Sequence, residues 1–138
     1  METAQLVATA LGLTAATAPG LHEHDRSDVV GFSQEEFQAA IAALFAYPDQ
    51  AVFGRESARQ AQQRFAQAIS SVLAKHQNQT VVVVAHGTVI SLYVSHVTGC
   101  DPFALWRRLG LPSFVVMALP ELALSEVVES IAHDIAAA

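Results

Sequence analysis

Two short stretches of this sequence carry residue types suited to holding an anion. The first is His86-Gly87-Thr88, which follows the unbroken run Thr80-Val81-Val82-Val83-Val84-Ala85. A histidine at the turn from a buried strand into a helix stands beside the first free N–H groups of that helix. Those groups, together with the helix dipole, favour negative charge. An imidazole, with an ordinary pKa of about 6.5, gains a proton readily when a dianion is close. The second stretch is the polar loop Leu21 to Phe32, which gathers His22, Glu23, His24, Asp25, Arg26 and Asp28, a density of titratable groups unlike the rest of the chain. The plainer alternatives are a His86 ring that only hydrogen-bonds the first turn of its helix, and loop carboxylates that are merely solvated. His22, Glu23 and His24 lack a recognised zinc spacing, so no metal or other cofactor is expected. The two histidines read as facing solvent or the mouth of a pocket.

These residues need elements to hold them. Glu2 to Leu13 is alanine-rich, with Leu6, Ala10 and Leu13 at helical spacing and Gly12 as a stop. Thr14 to Ala18 reads as a short edge strand before the Pro19-Gly20 turn. Ser33-Gln34-Glu35-Glu36 is a capping box opening a helix with Phe37, Ile41 and Leu44 on one face, which ends near Tyr47-Pro48. A longer helix starts around Ser57, shows Phe65, Ile69, Val72 and Leu73 on one side, and runs to Lys75. Thr80 to Ala85 has no polar alternation, the pattern of a central strand covered on both faces in a parallel sheet. A helix from about Val89 to Val97 is ended by Gly99, and Asp101, Pro102 and Gly110 enclose a short one. Ser113 to Leu119 and Glu126 to Ile135 read as further strands. Strands alternating with helices predict an α/β fold, a three-layer sandwich with helices on both sides of a mainly parallel central sheet. Such sheets place their chemistry at the carboxyl ends of strands, where His86 falls. Residues 1–138 read as a single domain.

Bulk properties narrow the function. A chain of 138 residues that is 52% hydrophobic can bury a sizeable core. Its 7 Lys+Arg against 13 Asp+Glu give a formal charge of −6, which argues against a nucleic-acid partner or an anionic membrane surface. Any phosphate must then be held by local groups. The single cysteine, Cys100, has no internal disulfide partner and reads as a small buried apolar residue in a reducing, cytoplasmic protein. No secretory signal and no bilayer-spanning apolar run is seen, so no membrane is expected.

Three stretches together resemble the histidine phosphatase superfamily, the phosphoglycerate mutase-like proteins. They are Leu21-His22-Glu23-His24, then Gly54-Arg55-Glu56-Ser57 opening a long helix, then Val83-Val84-Ala85-His86-Gly87-Thr88-Val89-Ile90. Glu2-Thr3-Ala4-Gln5-Leu6 is similar to the helix after that family's first half-domain. The resemblance implies a nucleophilic histidine in an Arg-His-Gly motif, which attacks phosphorus and becomes phosphohistidine. It also implies a second histidine and two arginines around the phosphoryl oxygens, and a loop carboxylate that protonates the leaving oxygen. Residue by residue, Glu23 takes the proton-donor position, His86 that of the second histidine, and Gly87 and Thr88 offer backbone N–H groups to the phosphate. As an acid Glu23 needs a pKa raised from about 4.3 by burial or by bound phosphate.

The sequence contains no Arg-His-Gly and no arginine before the Thr3-Ala4 pair. It therefore reads as the C-terminal part of such a domain, without its first strand, and Met1 as an internal methionine of a longer protein. Arg26 and Arg55 are the arginines nearest the matched motifs, and both read as surface or helix-end contacts. The activity implied for the complete protein is metal-free hydrolysis of a small phosphorylated substrate, with this chain inactive alone. Hydrolysis is favoured over mutase chemistry because the related mutases carry longer insertions over the pocket. The alternative is a non-catalytic, degenerate domain that binds a phosphorylated ligand or a protein partner. An open apolar sheet edge is expected to drive self-association in either case.

Overall fold

The computed structural model describes residues 2–131. Helix α1 (Glu2–Ala10) stops short of Leu13 and buries none of its residues, leaving Leu6 exposed, with Leu11 and Leu13 exposed after it. Helix α2 (Gln34–Ala46) begins at the predicted capping box: Glu36 N–H donates to Ser33 Oγ at 3.2 Å and Ser33 N–H to Glu36 Oε2 at 2.8 Å. Helix α3 (Ala58–Lys75) repeats the device with Ser57 and Gln60. Helix α4 (Gly87–Thr98) ends where Gly99 adopts φ +76°, a left-handed conformation that a residue without Cβ takes at little cost. Helix α5 (Pro102–Arg108) is opened by Asp101, which accepts from Ala104 N–H at 2.6 Å, with proline in the first turn.

Helix α4 packs against α3, α5 and the strand Ala123–Val128. Six of its residues, Thr88, Val89, Ser91, Leu92, Tyr93 and Val94, are buried, as befits a helix with apolar residues on several sides. Val89, Leu92 and Tyr93 join Ile41 and Leu44 of α2 and Ala58, Ala61, Phe65 and Ile69 of α3 in one core, where Phe65 meets Tyr93 edge-on with ring centroids 5.8 Å apart. Strands β1 (Phe114–Ala118) and β2 (Ala123–Val128) pair antiparallel, Phe114 opposite Val128, with a bulge between Val116 and Met117. No helix among the described residues is long and apolar enough to cross a membrane.

The strand predictions need correction. Thr80 to Ala85 carries no strand pairing among the described residues. Val83 and Ala85 pack on the core, but Val82 and Val84 face outward, 58% and 38% exposed, so the run is covered on one face rather than two. β-Branching favours an extended backbone, yet a strand also needs a neighbouring ribbon to receive its N–H and C=O groups. The only sheet among the described residues is the β1–β2 pair, and the mainly parallel, three-layer arrangement is not found there. Thr14 to Ala18 likewise forms no strand. The last strand starts earlier than predicted, at Ala123, and the predicted part from 132 to 135 lies outside the described residues. The mixture of helices and strands keeps the α/β character.

Urea unfolding checks the core assignment. Phe65→Ala should lose about 3–5 kcal/mol, as expected for emptying a buried aromatic site, whereas Val82→Ser should stay within about 0.5 kcal/mol of the parent. A comparable loss for Val82→Ser would place that side chain under a covering layer.

Candidate active site

Chain topology brings the Leu21–Asp25 loop onto the first turn of α4. Glu23 Oε2 accepts from Thr88 N–H at 3.4 Å and Glu23 Oε1 from Val89 N–H at 3.3 Å, while His24 N–H donates to Glu23 Oε1 at 2.8 Å. The carboxylate thus occupies the anion-favouring end of the helix. His86 is the N-cap residue, but its side chain makes no capping bond and lies exposed, which excludes the plain reading in which the ring only caps its helix. Gly87 lies against Trp106, whose Cδ1 and Nε1 would be 3.6 Å from a Cβ placed there. Trp106 stacks on Phe103 and meets Phe37 edge-on, forming an aromatic wall beside the helix start.

What holds the loop is Arg64 on α3. Its Nη1 donates to the carbonyls of Gly20 at 2.8 Å and His22 at 2.9 Å, and its Nη2 to Glu23 O at 3.2 Å and Glu56 Oε1 at 2.5 Å. Its Nε donates to Glu56 Oε2 at 3.3 Å. Glu56 Oε1 also accepts from Asp25 N–H at 2.9 Å, and Arg55 N–H donates to Asp25 O at 2.7 Å. This close apposition depends on Gly54, at φ +73°: a Cβ there would lie 2.3 Å from Asp25 O and 3.0 Å from the His24 ring. Burial by itself would raise the Glu56 pKa. The Arg64 hydrogen bond, the Asp25 amide and the charges of Arg64 and His24 outweigh it and hold the carboxyl below its ordinary value.

Other predicted positions resolve differently. His24 is buried at 2% exposure rather than solvent-facing, because its ring packs on Phe53 at 5.0 Å and its Nε2 lies 2.7 Å from Glu56 O. A carbonyl only accepts, so Nε2 carries the proton. His22 is exposed. Arg55 is the surface contact expected of it, 3.7 Å from Asp28 with both side chains largely exposed. Arg26 is not: it lies over the Phe37 ring at 4.7 Å, its Nη2 is 3.8 Å from Glu23 Oε2, and its Nη1 is buried with no hydrogen-bond partner among the described residues. No three His, Cys, Asp or Glu side chains gather as a metal site would need among the described residues.

Sequence reasoning missed Arg64 and gave Glu56 no role. A signal existed: Arg64 falls between Ala61 and Ala68, at helical spacing on the buried side of α3, where a cation needs a specific partner. Which partner it takes, 44 positions back at Gly20, was not legible.

In comparisons with known proteins, the family model described as the histidine phosphatase superfamily (branch 1) matches residues 1–119. No curated protein and no solved structure gives a significant match to the chain.

Because the Glu56 pKa is lowered on folding, its contribution is present above the unfolded value of 4.5 and is lost as pH falls through the folded one. Glu56→Gln should therefore destabilise the protein near neutrality by about 1–2 kcal/mol, the lower range for charged hydrogen bonds because the pair is partly wetted. In denaturant titrations the gap to the parent should narrow as pH falls below 4.5. A gap independent of pH would show that the charge on Glu56 is not what holds the loop.

Proposed function

The chain belongs to the histidine phosphatase superfamily, and on that premise we propose that it forms the proton-donating and phosphate-holding part of a phosphomonoester hydrolase. In this reading the His86 ring and the N–H groups of Gly87 and Thr88 hold the phosphoryl oxygens. Phosphoryl transfer is catalysed chiefly by fixed positive charge and donors around three equatorial oxygens, and the start of a buried, rigid helix supplies such donors. A nucleophilic histidine nitrogen forms the N–P bond as the ester P–O bond breaks, and Glu23 passes its proton to the departing oxygen. Water then releases phosphate from the phosphohistidine. The substrate is a small phosphorylated molecule.

One observation carries this reading. Glu23 and Thr88 are 65 positions apart, yet the carboxylate lies within hydrogen-bond reach of the helix start that follows His86. The attacking histidine is not supplied here: no Arg-His-Gly stands in the sequence, so turnover requires a nucleophile from outside these residues. The same gap favours a second reading, a non-catalytic domain that retains a phosphate pocket. On the hydrolase reading Thr80–Ala85 takes a strand position in a parallel central sheet once the missing first strand is supplied, and self-association is the expected consequence of leaving its apolar edge open.

The 138-residue chain should not hydrolyse p-nitrophenyl phosphate above background. Clear turnover that disappears in His86→Ala would mean that a residue present here acts as nucleophile, contrary to the proposal. The in-frame codons preceding Met1 separate the two readings. An apolar strand ending in Arg-His-Gly supports the hydrolase, and an immediate stop codon supports the binding domain.

A further inference from the structure

One of the donors proposed for the phosphoryl group, the Thr88 N–H, is already taken by an anion of the protein itself. The Glu23 carboxylate sits on the N–H groups of Thr88 and Val89 at 3.4 and 3.3 Å. Both distances are beyond the usual N–H···O range, whereas the bond to His24 N–H, within the same loop, is 2.8 Å. The carboxylate is therefore anchored to its own loop and only lightly to the helix. On the same first turn Thr88 is 1% exposed, and its hydroxyl is buried without a hydrogen-bond partner among the described residues.

A phosphoryl dianion carries more charge than a carboxylate and three strong acceptor oxygens, so it is the better ligand for these donors. The two anions cannot share the Thr88 N–H. The geometry points to Glu23 as a displaceable plug: a phosphoryl group takes over the Thr88 amide, the carboxylate leaves the amides of Thr88 and Val89, and Glu23 takes up one proton from solvent. This rests on the phosphatase reading of the same site and adds a means of loading the acid, since the incoming dianion itself makes the charged carboxylate unfavourable.

The groups around Glu23 fit that exchange. On its own loop Arg26 Nη2 stands 3.8 Å from the carboxylate and would give up that ion pair when the carboxylate leaves. On α3 Arg64 holds the Glu23 carbonyl rather than the carboxylate and is occupied with Glu56, so the loop stays anchored while the side chain moves. On α4 the N-cap residue His86 is the other titratable group beside the amides. The flanking residues of α2 and α5, Phe37 and Trp106, are uncharged. The nearby carboxylates Asp25 and Glu56 are taken by Ser27 and Arg64.

Sulfate, a tetrahedral dianion that does not titrate near neutrality, serves as the probe. The full chain is followed through the Thr88 and Val89 amide resonances and by calorimetry in buffers of different ionisation enthalpy. The parent should bind sulfate with uptake of a proton, and Glu23→Gln should bind about tenfold tighter near neutral pH, within the usual range of coupling between two sites. The variant should bind sulfate without the Glu23 proton. Glu23→Ala, which removes the carboxylate altogether, should behave alike, and thermal melts report whether each variant is folded. Sulfate binding that is no tighter in either folded variant, or that leaves the Thr88 and Val89 resonances unmoved, overturns the inference. No phosphoryl transfer enters this measurement, so a chain that exchanges Glu23 for sulfate as described would leave the inference standing even if the hydrolase reading failed.

Discussion

The guanidinium of Arg64 has five N–H groups to satisfy, and the loop ahead of α2 has carbonyls that no regular element satisfies. Each need answers the other. Three of the five bonds go to the carbonyls of Gly20, His22 and Glu23, and two go to the Glu56 carboxylate, which in turn receives the Asp25 amide. A half-buried cation without acceptors would be costly, and an irregular loop without donors would drift. A lysine, a point charge with three donors, could not span these acceptors in one planar fork. The loop side of the candidate site is thus built on polar satisfaction at one residue, with apolar packing setting the helix that Arg64 stands on.

The opposite face of the site obeys different physics. Helix α4 is buried on several sides, so its first turn is held by the core it shares with α2 and α3. That rigidity fixes the direction of its free N–H groups. The pinned loop then delivers a carboxylate to them, and the cap that His86 does not make is made by Glu23. A chain with a net charge of −6 can hold an anion here because the relevant field is local: oriented amides, Arg26 against the Phe37 face, and Arg64 behind the loop.

The extended run Thr80–Ala85 connects these ideas to the fold. It feeds directly into His86, and its inward side chains Val83 and Ala85 seat it on the same core as α4. The start of the helix is consequently anchored from both directions along the chain. Its outward valines and its backbone contribute nothing to that anchoring, which is why the ribbon can lie unpaired while the geometry at His86 is maintained.

Much of the local structure was legible in the residues alone. The Ser33–Glu36 box, the stop at Gly99 and the Asp101-Pro102 start all arise from contacts within one helical turn, so the sequence determined them without reference to the rest of the molecule. The family itself was likewise readable from three short stretches. The burial of His24, the partnership of Arg64 with Gly20 and Glu56, the docking of Glu23 on α4 and the open edge of Thr80–Ala85 were decided only in three dimensions. Periodicity reports what conformation a segment prefers. Which groups meet across 44 or 65 positions depends on how whole elements pack, and that decides whether a buried polar atom finds its partner.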